Sequence, residues 1–242
     1  MKQFGLVFLL IAALAVPPVM AQSLQEVPFA KQLKLAKVGD VDAQFAVGLA
    51  FETGTQGKTD GAEAAKWFRQ AALQGNVEAQ FHLARLVFRG AKGLKKDAAT
   101  AFKLYQDAAG KGHAGAMNAL GQMYQAGQGT AADPIKAADW YRKSADLKFA
   151  EAENNLAMMY LDGKGVTRDV PTAFKLFERA AAQDDPWGLN NLGGMYEMGW
   201  GAKPDKPKAL EFYRKALAKG NTAAQRNIDR LSPPTAATAV KP

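Results

Sequence analysis

The chain has 242 residues, 31 basic against 23 acidic, a formal net charge of +8 and no cysteine. Without cysteine there is no disulfide, no thiol chemistry and no lipid-modified cysteine behind a leader. Only two histidines occur, His82 and His113, too far apart in sequence to share ligand spacing, and a metal centre is not expected.

In chain order, residues 1–21 read as a signal peptide. Lys2 gives a positive start, Phe4 to Val16 is apolar apart from Gly5, and Val19-Met20-Ala21 ends in small residues near a cleavage point at Ala21. The apolar run is short for a bilayer span. The expectation is a periplasmic or secreted chain with no integral membrane segment once the leader is removed. Its mature charge would be +7, from 30 basic and 23 acidic residues, because Lys2 leaves with the leader. Residues 22–39 hold one helix, Val27 to Val38, closed by Gly39, which would cap the array that follows.

From Asp40 the sequence repeats itself. A small residue recurs at Ala43, Ala79, Ala116, Ala152, Gly188 and Ala224. A turn glycine recurs at Gly54, Gly90, Gly127, Gly163 and Gly199, and a helix-capping aspartate at Asp60, Asp97, Asp133, Asp169 and Asp205. A large apolar anchor follows at Trp67, Leu104, Trp140, Leu176 and Phe212, three residues after Ala64, Ala101, Ala137, Ala173 or Ala209. One extra residue, between Gly90 and Asp97, breaks the spacing inside a turn. Each unit is two amphipathic helices too short to stand alone, so units must stack.

Thr222 to Leu231 repeats only a first helix, with Arg226, Asn227 and Asp229 making the polar outer face of a terminal cap. Residues 232–242, SPPTAATAVKP, read as a disordered tail. The expected fold is all-α: a right-handed α-solenoid of about five full helix–turn–helix repeats plus terminal capping helices, spanning residues 40–231.

One unit carries Leu120-Gly121, Tyr124, Gly127, Gly129, Asp133, Lys136-Ala137, Trp140-Tyr141-Arg142-Lys143 and Ser144-Ala145. The pattern L-G-x-x-Y, G-x-G, D, K-A, W-Y-x-K, A-A resembles the Sel1-like repeat, a relative of the tetratricopeptide repeat, over about Asp40 to Leu231. Val87 stands at the aromatic position of the second unit. Lys148 and Asp184 stand where other units end in glycine.

The resemblance implies an interaction protein, an adaptor or regulator that holds another envelope protein or peptide on the concave face lined by the first helices. Groove positions carried over from the tetratricopeptide pattern name Phe45, Phe81, Arg85, Phe88, Arg89, Asn118, Gln122, Asn154, Met158, Trp187 and Asn190 as partner-binding residues. Phe45, Phe81, Asn118, Asn154 and Asn190 form one column. Its asparagines could grip an extended backbone, because an amide both donates and accepts. Arg85 and Arg89 beside the aromatic end could hold a carboxylate. The acids Asp42, Glu52, Glu78, Glu151, Asp162 and Glu197 fall on the same face.

Basic residues gather on the turns instead: Lys58, Lys92, Lys95, Lys96, Lys164, Arg168, Lys203, Lys206 and Lys208. That edge offers an alternative partner, an anionic polysaccharide or peptidoglycan. Nucleic acid is not expected, since no aromatic stacking residues interleave with the positive charge. A hydrolase is the remaining reading. No S-x-x-K motif or other catalytic set supports it, so no enzyme activity and no cofactor are expected.

Overall fold

Why each unit forms two helices and a turn is visible at its ends. In a computed structural model describing residues 27–55 and 58–232, every second helix starts on the aspartate read as a cap. Asp97, Asp133 and Asp169 each accept the backbone N–H three residues on, at 2.9, 3.0 and 3.1 Å. Asp97 and Asp169 also accept a threonine hydroxyl, from Thr100 and Thr172, both at 2.6 Å. These bonds hold both carboxyls below their usual range. Gly54, Gly127, Gly163 and Gly199 end first helices in the left-handed conformation.

The helices are α1 (Phe29–Lys37), then the pairs α2 (Val41–Thr53) and α3 (Gly61–Leu73), α4 (Val77–Arg89) and α5 (Ala98–Gly110), α6 (Ala114–Ala126) and α7 (Pro134–Asp146), α8 (Ala150–Asp162) and α9 (Val170–Ala182), α10 (Pro186–Met198) and α11 (Lys206–Ala218), and last α12 (Ala224–Leu231). Each packs on the next, and first helices also meet across repeats, α2 on α4 and α8 on α10. The result is an all-α solenoid. The expected signal peptide, the start of the expected capping segment and most of the expected tail lie outside the described residues. No helix among those described is long and apolar enough to cross a membrane.

The small columns are the helix crossings. Ala43, Ala79, Ala116, Ala152 and Ala224 have no exposed surface, nor do Ala64, Ala101, Ala137, Ala173 and Ala209. At Gly188 an added methyl would stand 2.6 Å from the Ala180 methyl, so axes approach closely there. The large column needs a correction. Leu104, Trp140 and Phe212 are only half-buried, and the deepest rings stand one residue later, at Phe68, Tyr105, Tyr141, Phe177 and Tyr213. In three repeats this ring packs against the glycine of the first helix: Phe68 on Gly48, Tyr141 on Gly121 and Tyr213 on Gly193. The glycine after Val47, Leu120 or Leu192 is therefore a slot for the next helix's aromatic ring. Ala84 and Ala157 occupy the slot in the other two repeats.

The extra residue of the second repeat is absorbed in a tight turn. Ala91 and Leu94 exchange backbone hydrogen bonds of 3.0 and 2.9 Å, with Gly93 at φ +77°. Lys148 and Asp184 adopt the left-handed conformation (φ 60° and 59°) that Gly75, Gly112 and Gly220 supply elsewhere, so the fold imposes the turn even where the residue resists it.

Candidate functional site

The first helices line a continuous groove of three basins. The largest, about 840 Å³, lies between α4 and α6 and is walled by Glu78, Phe81, Arg85, Phe88, Asn118 and Gln122, with Tyr105 and Phe149 contributing rings. A second, about 650 Å³, shares Gln122 and Glu151 with it and is walled by Asn154, Met158, Asp185 and Trp187. A third, about 210 Å³, shares Met158 and Asn191 and adds Asn190, Met198 and Trp200. Met158, Trp187, Met198 and Trp200 leave large apolar surface exposed; Trp187 is 56 % exposed. Tryptophan and methionine exposed together on a concave face form a surface that adapts to apolar partners.

The N-terminal end differs from expectation. Phe45 does not open into these basins; it packs on Phe68 and His82, with ring centroids 5.8 and 5.4 Å away. Phe81 stacks on His113 at 4.3 Å while keeping an edge on the groove. Arg85 and Arg89 are not waiting for a ligand carboxylate. Both donate to Glu52 Oε1, at 3.0 and 2.8 Å, and His82 Nδ1 lies 2.8 Å from Glu52 Oε2. The Glu52 side chain is only 5 % exposed. Burial works against its ionisation, but the His82 hydrogen bond and the Arg85 charge outweigh it and hold the carboxyl below its usual range.

A carboxyl depressed on folding contributes stability above its ordinary range and loses it as pH falls through its folded value. Glu52→Gln is accordingly expected to cost about 1.5–3 kcal/mol near neutrality, the scale of a charge-assisted hydrogen bond. That difference should vanish in acid below the normal carboxylate range. Urea titrations of the two proteins across pH check it, and a gap independent of pH would remove the charge from the account.

The asparagine column is also engaged. Asn118, 3 % exposed, donates to Glu151 at 3.2 Å and accepts from Asn155 at 3.0 Å. Asn154 accepts from Asn191 at 2.8 Å, and Asn190 from Asn227 at 3.0 Å. The ladder first ties each repeat to the next, which corrects its reading as a free grip for a backbone. An apolar side chain at Asn118, Asn154 or Asn190 would leave the half-buried amide of the following repeat without this partner.

Among the acids expected on this face, most have partners. Glu197 meets Arg230 and accepts the Tyr213 hydroxyl at 2.8 Å, Asp162 meets Lys164 at 2.9 Å, and Glu78 meets His113 at 3.3 Å. His113 Nδ1 meanwhile accepts from the Ala116 N–H, capping α6. Among the described residues Glu151 has only the Asn118 amide.

This architecture is a known one: the Sel1 repeat matches residues 41–76, 77–113, 114–149, 150–185 and 188–221. The chain belongs to the Sel1 repeat family. Such repeats mediate protein–protein interaction, and the fold is mostly a scaffold rather than a catalyst. Two solved structures are similar at a TM-score of 0.74. One is c5321, a protective antigen of uropathogenic Escherichia coli with an SLR fold, 31 % identical over 85 % of this chain and 44 % of that one. The other is a Sel1 repeat protein from Oxalobacter formigenes, 33 % identical over 84 % of this chain and 58 % of that one. A Klebsiella pneumoniae protein, 23 % identical over 85 % of this chain and 99 % of that one, shares the fold at 0.54. This chain spans about half the length of the first two. No curated protein matches it.

Of the partner-binding residues named from sequence, the Sel1 groove gathers Phe81, Arg85, Phe88, Asn118 and Gln122 in the first basin. Asn154, Met158 and Trp187 stand in the second and Asn190 in the third. Phe45 and Arg89 are spent on the fold. Sequence reasoning missed Asp185, Phe149, Tyr105 and Trp200. Asp185 and Phe149 are N-caps of first helices, and the residue just before each first helix was the available signal.

Proposed function

We propose that this Sel1 repeat protein is an exported adaptor that binds a segment of another envelope protein along the groove of repeats two to five. The observation that carries the reading is the exposed Met158–Trp187–Met198–Trp200 surface, continuous with the larger basins. The apolar start of the sequence supports export. Binding anionic glycan on the turn edge is less well supported, because several turn lysines are occupied. Lys164 pairs with Asp162, and the Lys96 and Lys208 ammoniums lie 5.5 and 4.2 Å from the Phe88 and Tyr196 ring centroids.

The test compares three forms of the mature chain as bait for envelope proteins: wild type, Met158→Ala with Trp187→Ala, and charge reversal at Lys92, Lys95 and Lys96. The groove pair is expected to lose partner binding by tenfold or more while melting unchanged, since both side chains are solvent-facing and unbonded. The reversal should leave affinity nearly unchanged. Partners that follow the lysines and ignore the groove pair would transfer the interface to the turns.

A further inference from the structure

Within that groove, and resting on the reading of it as a protein-binding site, the second basin has a chemistry of its own. Two carboxylates, Glu151 and Asp185, wall it, and no lysine, arginine or histidine is among its lining residues. Elsewhere on this face most acids are matched by a cation: Glu52 by two arginines, Glu197 by Arg230, Asp162 by Lys164. Here they are not. Asp185 is buried and spends one oxygen on the Gly188 N–H at 2.6 Å. Burial raises both carboxyls above their usual range, and the Asp185 charge adds to the effect on Glu151.

A second observation is independent of charge. Asn154 is 8 % exposed and lines the same basin. Its carbonyl is taken by Asn191, and its amide nitrogen has no partner among the described residues. That open donor belongs to a side chain in the basin's own wall, where a ligand acceptor can reach it. Trp187 and Met158 complete the wall with exposed apolar surface, suited to an aliphatic stem and a cationic head.

We propose that this basin receives one arginine or lysine side chain of an extended protein segment, its cationic head between Glu151 and Asp185 and its stem along Trp187 and Met158. The segment's backbone carbonyl accepts from the Asn154 amide. The array so far looks like a general scaffold; this basin gives it a charge preference, a basic residue at one fixed point of the bound segment. Arginine fits better than lysine, because its planar fork can serve two carboxylates and still stack on the indole.

The test uses short capped peptides, fluorescently labelled and identical except for a central Arg, Lys, Gln or Glu flanked by valines, titrated into the full mature chain by anisotropy. The Arg peptide is expected to bind at least tenfold more tightly than the Gln peptide, and the Glu peptide more weakly still. Glu151→Gln with Asp185→Asn should erase that preference, bringing the Arg and Gln peptides to the same affinity. Both substitutions keep the hydrogen-bonding shape, and Asn remains a good helix cap. Equal binding of Arg and Gln peptides, abolished by Met158→Ala with Trp187→Ala, would overturn the basic-residue receptor and keep the groove. Equal binding untouched by either pair would overturn both. No measurable Arg-peptide binding overturns the receptor, and so does competition by free arginine as effective as the peptide, which would make the basin a small-molecule site.

Discussion

Gly165→Ala is expected to destabilise the solenoid by about 3 kcal/mol, far more than alanine costs at another turn glycine. Two terms add. Gly165 sits at φ +70°, where a methyl group costs about 1 kcal/mol. The added Cβ would also stand 2.1 Å from the Pro134 carbonyl oxygen and 2.4 Å from its carbon, atoms of the first turn of α7 in the preceding repeat. Backbone cannot swing aside as a side chain can, and overpacking of this kind costs ~1–3 kcal/mol. Gly75→Ala isolates the first term: φ is +94° and nothing lies within 4 Å of the new atom. Urea unfolding followed by circular dichroism should place Gly75→Ala about 1 kcal/mol below wild type and Gly165→Ala well beneath it. Equal losses would mean the inter-repeat approach is not what fixes glycine there.

That comparison also shows what the sequence disclosed and what it hid. Helix pairs, caps and the small-residue columns were legible because they follow from local chemistry. Gly163 ends a helix and Asp169 starts one whatever stands beside them, and Ala152 recurs because axes must cross there. The recurring turn glycine is a helix cap, and this accounts for the first glycine of each G-x-G turn. The second, at Gly129, Gly165 and Gly201, is small because the previous repeat's helix passes against it, at Ala98, Pro134 and Phe174. The same limit explains the asparagines. Asn118 and Asn155 are 37 residues apart, as are Asn154 and Asn191, close to the period of the repeat itself. A column that binds its own neighbour and a column that binds a ligand leave the same trace in a duplicated sequence. Arg85 and Arg89 looked free because their counter-charge, Glu52, sits one repeat earlier and had been counted as a separate groove acid. Asp185 was missed for the opposite reason: it reads as one more helix cap, and only the fold brings it beside Glu151.

Removing the partner of the most deeply buried charge is the other large effect. Glu153, on α8, has no exposed surface; Arg179 from α9 pairs with it, and Gln183 donates to its other oxygen at 2.8 Å. Arg179 also donates to the Ala145 carbonyl at 2.8 Å, so one guanidinium joins three helices. Burial already raises the Glu153 carboxyl above its ordinary range, with Arg179 and Gln183 only partly offsetting it. Arg179→Met keeps the apolar stem and leaves the carboxylate facing protein alone, which costs about 3 kcal/mol. The sign of the pH dependence follows. In the variant the folded carboxyl holds its proton to higher pH than the unfolded one, so the deficit is complete above the raised folded value. It shrinks as pH falls toward the ordinary carboxylate range, because protonation removes the stranded charge. Urea unfolding at neutral and mildly acid pH should therefore show the variant gaining on wild type as the solution is acidified. Adding Glu153→Gln, which still accepts from Gln183 and carries no charge, should recover most of the loss at neutrality and abolish the pH dependence. If the double variant stays as unstable as Arg179→Met, what Arg179 supplies is its bond to Ala145 and its packing, not the neutralisation of a buried acid.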